Sequence, residues 1–347
     1  MTIDELRKRI DEIDREIVRL IGERLEMVQR IAEVKNAEGR GISDDERELM
    51  VKMNWRRLAV EYGIPVDIIS ILADLLIKYS KSLQINLRGR KKLQKRVTFI
   101  GYGNMASVLA RQLVKVGHEV VITGRNLDKA EELAKTLGCR YMDLESAIEF
   151  GEYIVLALSF EAYKNGYVNK LFVHLRNKVA MDILSSKSWV FHYLEGESLQ
   201  NNFMYVSVHP LFGPLTPPIG EKIAIIPSKT GATVLQDVVD LWFSAGLEPV
   251  VVDLEEHEKA MAIVQVLTHL YLTAFSKALK KLSQELHIYP DKLSTPTYRE
   301  VRTIVERLKH IENVIFEIQK TNPFSVFVRR EAVDVLKDVI ESIGRQI

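Results

Sequence analysis

The sequence predicts a three-part chain: an all-α segment of three helices, then an α/β doubly wound domain, then a second all-α domain. Two changes of pattern predict it. Up to about residue 85 apolar residues recur at 3- and 4-residue steps with no strand-like alternation. From Val97 short β-rich runs alternate with helix-length segments, and after Asp253 those runs stop. The corresponding boundaries are 1–85, a linker at 86–95, 96–252 and 253–347.

The first helix follows from Leu6, Ile10, Ile13, Ile17, Leu20, Met27, Ile31 and Val34, which form one apolar seam. "GRGISDDERE" interrupts it, and Ser43 with Glu46 makes a capping-box signature for a second helix. "GIPVDIIS" ends that helix and starts a third, with Pro65 at its first turn. Three helices of this length seal a core poorly, so a homodimer is expected. "NLRGRKKLQKR" reads as a basic, solvated linker. The strands of the middle domain are "RVTFIG", "EVVITG", "YIVLAL", "KVAMDIL", "MYVSVH", "KIAIIP" and "LEPVVVD"; "EEHEKAMAIVQVLTHLYLTAFSKALKKL" opens the last helical region.

Composition narrows the class. A net charge of +1 over 347 residues gives no general reason to expect nucleic acid. Cys139 is the sole cysteine, which excludes an intrachain disulfide and a cysteine-based metal cluster; its expected role is structural, and no metal is expected. The charged start "MTIDELRKRIDEIDREI" is no secretory h-region. No run is expected to approach the ~20 apolar residues that span a bilayer. A cytoplasmic protein without a membrane partner is the expectation.

"VTFIGYGNMASVLARQLVKVGHEVVITG" reads as strand, glycine turn, helix, strand, the start of a Rossmann-type fold. Gly101 permits the tight turn, Gly103 lets the backbone approach a pyrophosphate, and Ala106 is small enough for close helix–strand packing. The helix N-terminus then offers free N–H groups to the diphosphate. At the end of the next strand "VITGRN" lacks the usual ribose-binding carboxylate. Thr123 and Asn126 can donate hydrogen bonds to a phosphate and Arg125 can pair with it, so NADP is favoured over NAD.

Charges fall in unexpected places in the first helices. Arg24 lies on the apolar seam, and Lys35 projects from nearly the same face three turns later. Asp44, Arg47 and Glu48 share a face, as do Ser80 and Gln84. Inward-facing cations are costly unless paired, so the set suggests a pocket for a small polyanion. In the middle domain Ser185 and His209 each follow a strand, where such folds bind ligands. A histidine there can accept the proton of a hydroxyl as hydride leaves its carbon.

Residues 1–85 resemble the all-helical chorismate mutase family through "ELRKRIDEID", "GERLEMVQRIAEVK", "SDDERE" and "YSKSLQ". The resemblance implies that Arg7 and Arg24 clamp the two carboxylates of chorismate, Arg7 reaching in from the partner chain of an intertwined dimer. It implies that Lys35 and Gln84 bind the ether oxygen and Glu48 the ring hydroxyl. Arg47 and Asp44 would complete the polar wall, with Ser80 assisting at a carboxylate. Residues 96 to about 325 resemble prephenate dehydrogenase, a family with arogenate-using relatives, through "GYGNM", "DILSSK", "HPLFGP", "EEHEKAMAIVQVLTHL" and "STPTYREVRTIVERL". By that resemblance His209 assists deprotonation of the ring hydroxyl, oriented by Ser185. Arg307 would bind a substrate carboxylate, His269 would line the pocket and Arg299 would support it. His257 is expected to be structural, and the C-terminal helices to form a dimerisation domain. The expected ligands are chorismate, prephenate and NADP or NAD. The competing expectations are an arogenate dehydrogenase whose mutase-like segment only dimerises or senses a ligand, and a β-hydroxyacid dehydrogenase with a catalytic lysine.

Overall fold

A computed structural model describes residues 2–38, 45–89, 94–216 and 218–344. The chain begins with α1 (Ile3–Ala37), α2 (Asp45–Glu61) and α3 (Val66–Gly89). It continues through β1 (Arg96–Ile100), α4 (Asn104–Lys115), β2 (Glu119–Thr123), α5 (Leu127–Leu137), β3 (Arg140–Tyr141), α6 (Leu144–Phe150) and β4 (Tyr153–Leu156). Next come the short α7 (Phe160–Lys164) and α8 (Asn169–Phe172), then β5 (Val179–Asp182), α9 (Ser188–Asn201), β6 (Met204–Pro210) and β7 (Lys222–Pro227). After α10 (Leu235–Ser244) and β8 (Glu248–Val251) the chain is helical: α11 (Leu254–Met261), α12 (Thr268–Glu285), α13 (Pro296–Leu308), α14 (Glu312–Thr321) and α15 (Ser325–Gly344).

Two compact units result. One holds Met1–Ala157, Pro210–Ile223 and Thr233–Val250; the other holds Leu158–His209, Ala224–Ala232 and Val251–Ile347. In the first unit α1 and α2 both pack on α3, with Val28, Ala32, Ala59, Ala73 and Ile77 buried between them. The seam of α1 is only partly used: Leu6, Ile10 and Ile17 stay 46%, 56% and 50% exposed. The capping box at Ser43 lies outside the described residues. Strands β3-β2-β1-β4 are neighbours in that order, all parallel, with Phe99 in register with Ile122 on one side and Val155 on the other. Central parallel strands are covered on both faces, which is why they read as nearly continuous apolar runs.

In the second unit β5 and β6 are parallel neighbours. Here α11, a π-helical turn at Ala262–Leu267 and α12 join into one 32-residue helix, Leu254–Glu285. Its most apolar 18-residue window has a mean hydropathy of at least 1.2, and 11% of that window is buried. By length and composition it could cross a membrane, so the expectation that no run approaches that length needs correction. The charges of this helix gather toward its ends, Glu255, Glu256, Glu258 and Lys259 at one and Lys277, Lys280, Lys281 and Glu285 at the other, which leaves an apolar middle.

Candidate active sites

The first candidate site is a cavity of about 470 Å³ between α1, α2 and α3. Arg24, Lys35, Arg47, Glu48, Ser80 and Gln84 all line it, over an apolar floor that includes Val28, Ile31 and Ile77. Arg24 donates to Ser80 Oγ at 2.7 Å, and Ser80 donates in turn to the Leu76 carbonyl at 2.6 Å. That chain fixes the guanidinium, whose pKa burial pushes down; arginine nevertheless remains a cation. Gln84 Oε1 is buried with no hydrogen-bond partner among the described residues, so the protein leaves part of that amide's bonding capacity open. Arg7 does not line the cavity of its own chain: it is exposed on α1, 3.6 Å from Asp4. Asp44 lies outside the described residues. Sequence reading missed Lys81, also in the cavity wall, whose Nζ is 2.7 Å from Glu48.

The second is the glycine turn between β1 and α4, in the same unit. Gly101 has φ 129°, and a Cβ there would meet the Ala157 carbonyl oxygen at 2.1 Å. Around Gly103 a Cβ would meet nothing within 4 Å, so the backbone there is open to an approaching group. Gly103 caps α4 without a side-chain hydrogen bond, which leaves the first N–H groups of the helix for an anion. Ala106 is buried, as close packing requires. These features fit a dinucleotide diphosphate. The ribose end differs from expectation in one respect: Thr123 is the last residue of β2, wholly buried, so its hydroxyl is not presented from the turn. Arg125 is exposed, and Asn126 uses its side-chain oxygen to cap α5 through Lys129 N at 3.0 Å, leaving its amide NH₂ as a donor.

The third candidate lies in the second unit, at the end of β6. His209 is buried, and its Nδ1 is 2.9 Å from His257 Nε2. Burial, then the neighbouring His257 and Lys187, hold the His209 pKa well below the ordinary 6.5, so the imidazole is neutral. His257 Nδ1 lies 3.6 Å from the Glu258 carboxylate. The Glu258 carboxylate itself accepts from Lys187 N at 2.9 Å, Ser188 N at 3.2 Å and Asn322 Nδ2 at 2.9 Å. The expectation that Ser185 orients His209 is therefore corrected: Ser185 makes no hydrogen bond to it, and His257 occupies the Nδ1 side. Neighbouring Ser186, not Ser185, is the bonded serine, accepting from Thr321 Oγ1 at 2.6 Å.

Behind His209 sits a buried charge network that sequence reading missed. Lys187 Nζ donates to Asp182 at 2.6 Å and to the Val208 carbonyl at 2.7 Å. Asp182 also accepts from Tyr205 at 2.7 Å and from Ser207 at 2.5 Å. Both side chains of the ion pair are 0% exposed. Asp182→Asn, which strands the ammonium, is expected to cost about 3–5 kcal/mol of stability. Urea denaturation checks it, and Asp182→Asn with Lys187→Met should cost less than Asp182→Asn alone.

The remaining predicted residues are dispersed. His269 lines a separate cavity of about 410 Å³ formed by α12, α13, α14 and α15, together with Val305, Leu308, Gln319 and Arg329. Burial lowers its pKa, and its Nδ1 has no partner among the described residues. Arg299 is exposed and bonded to the Ser294 carbonyl at 2.9 Å. Arg307 is exposed on α13. None of Ser185, His209, Arg299 and Arg307 lines the cavity of His269.

Comparison with known proteins gives a family for each of the two parts of the chain that carry these sites. Residues 6–85 match the chorismate mutase type II family, and residues 96–185 match the family described as NADP oxidoreductase, coenzyme F420-dependent. Over 80 residues the chain is 40% identical to the chorismate mutase of Methanocaldococcus jannaschii, a match covering 23% of this chain and 81% of that protein. Over 249 residues it is 24% identical to that organism's "Probable arogenate/prephenate dehydrogenase", covering 70% of this chain and 55% of the relative, so the chain spans about half that protein's length. The T-protein of Enterobacter agglomerans is 23% identical over 310 residues, covering 87% of this chain and 77% of its own. The fold of the dehydrogenase part is shared with a prephenate dehydrogenase from A. aeolicus solved with hydroxyphenyl propionate and NAD+ (TM-score 0.59, 17% identity, 74% of this chain and 93% of that one). Through its N-terminal helices the chain belongs to the chorismate mutase family, and it joins that domain to a dehydrogenase domain.

Proposed function

We propose that the chain catalyses two successive steps of tyrosine biosynthesis: Claisen rearrangement of chorismate to prephenate, then NAD(P)-dependent oxidative decarboxylation of prephenate to 4-hydroxyphenylpyruvate. The observation that carries the reading is the gathering of Arg24, Lys35, Arg47, Glu48, Ser80 and Gln84 around one cavity.

The rearrangement needs no acid, base or nucleophile from the protein. It needs a compact dianion held in place, and donors where the breaking C–O bond accumulates negative charge. Arg24, fixed by Ser80, holds one carboxylate. Arg7 of a second copy in a homodimer holds the other. Lys35 and Gln84 donate to the ether oxygen, Glu48 accepts from the ring hydroxyl, and Arg47 completes the wall.

In the dehydrogenase step the neutral His209 accepts the hydroxyl proton at Nε2. For that atom to be free of hydrogen, Nδ1 carries the proton and donates it to His257 Nε2. His257 then keeps its own proton at Nδ1, on the side of Glu258. A bound nicotinamide would supply the hydride acceptor for the ring carbon; as CO₂ leaves and the ring becomes aromatic, the proton held on His209 would return to the ring oxygen to give the phenol. Gly101, Gly103 and the α4 N-terminus hold the diphosphate. Ser185, at a strand end, would lie near the nicotinamide; Arg307 would bind a substrate carboxylate, His269 would line the substrate pocket and Arg299 would support the site.

We assign the cofactor preference to NADP. Arg125→Ala should weaken NADP+ about tenfold or more and NAD+ much less, read from KM for each nucleotide. Equal losses would reject the preference. The proposal as a whole is tested by giving the purified protein chorismate with NADP+ or NAD+ and following nucleotide reduction. Coupled reduction is expected. Accumulation of prephenate without reduction, or reduction only with arogenate, would reject the dehydrogenase half.

A further inference from the structure

The wall of the mutase cavity carries a lysine to which no role has been given. Lys81 stands on α3, its side chain only 17% exposed, with Nζ 2.7 Å from Glu48 on α2. On its other side is Glu248 of β8, at 4.0 Å. The packing of α3 on α10, the helix that leads into β8, brings the two residues into reach. One cation is thus shared between a carboxylate of the mutase cavity and a carboxylate of the dinucleotide-binding sheet.

Among the described residues, Glu48 is the one acid lining a cavity that also holds Arg24, Lys35 and Arg47. A carboxylate among three such cations is drawn toward them, and a cation it engages, Arg24 above all, is lost to the substrate. An ammonium already held against the Glu48 carboxylate, at 2.7 Å, competes with that pull. Surface ion pairs rarely fix anything, but this pair is mostly buried between two helices.

We infer that Lys81 is a positioning residue of the mutase site, holding Glu48 toward the ring hydroxyl and away from the carboxylate-binding cations, and itself held by Glu248. The inference rests on the mutase reading above. It makes the dinucleotide-binding part of the chain a contributor to the mutase site, through one side chain. Since Glu48 contacts a hydroxyl that does not react, its misplacement weakens ground state and transition state alike, and the effect falls on KM.

The test uses the full-length protein and the disappearance of chorismate. Lys81→Met should raise the chorismate KM about tenfold with kcat within about twofold, and Lys81→Arg should restore most of the loss. Glu248→Gln should raise KM about two- to threefold, and should add nothing in the Lys81→Met background, because it acts through that lysine. Melting temperature and turnover of added prephenate should not change. A chorismate KM unmoved by Lys81→Met overturns the inference, as does a fall in kcat accompanied by a lower melting temperature. If the wild-type chain converts no chorismate, the mutase reading fails and takes this inference with it; wild-type turnover with an indifferent Lys81→Met sinks the inference alone.

Discussion

His209→Asn is expected to lower kcat for prephenate oxidation by about 10³-fold while KM for prephenate changes only a few-fold. Asparagine can keep a polar contact to His257 but has no basic nitrogen for the hydroxyl proton. The loss therefore belongs to the transition state, where the proton moves. An unchanged kcat would remove His209 from the mechanism. The wild-type pH profile gives a second reading of the same atom. Because burial beside His257 and Lys187 holds the imidazole pKa well below 6.5, the base stays unprotonated as the solution is acidified through that value. The acid limb of kcat/KM should lie below pH 6.5. Stability follows the opposite interest: below pH 6.5 the unfolded chain binds a proton at this residue that the folded chain refuses, so its contribution to stability falls as pH drops toward the folded value.

Lys35→Ala is expected to reduce mutase kcat by about 10²–10³-fold, the usual consequence of removing one donor from a developing oxyanion. The rearrangement offers no alternative route through a base or nucleophile, so a neighbouring side chain cannot take over the task. Oxidation of added prephenate should be untouched, which separates a lost donor from a lost fold. Chorismate turnover that survives the change in full would leave the N-terminal helices as a dimerisation or ligand-sensing module.

How far these sites were legible depends on what each residue contradicts. Arg24 and Lys35 stood out because a cation on an apolar seam breaks the helix pattern, and the cavity does collect them. Lys81 broke no pattern; its partner Glu48 is on another helix, and only the packing of α2 on α3 brings them together. The apolar runs of β1, β2 and β4 announced themselves because parallel strands are buried on both faces. β3 did not, being two exposed residues, Arg140 and Tyr141. "MDILSSK" offers Ser185 as its candidate, yet the buried bonds belong to Asp182 and Lys187. An aspartate closing an otherwise apolar strand is the available signal. The buried salt bridge it forms depends on a lysine five residues later curling back, which no periodicity encodes.

The π-helical turn at Ala262–Leu267 has a consequence for the length of the chain rather than its composition. One residue more than an α-helix would need is stored in that turn, so each residue after it is rotated by about 100° from where an unbroken helix would carry it. His269, two residues past the turn, owes its face of the helix to that surplus. In this segment the spacing between the paired histidine at 257 and the cavity histidine at 269 is therefore a structural quantity in itself. Loss of one residue from Ala262–Leu267 would let the turn relax to α-helix with α12 on its present face, whereas a substitution that straightened the turn at full count would rotate α12 by about 100° about its axis.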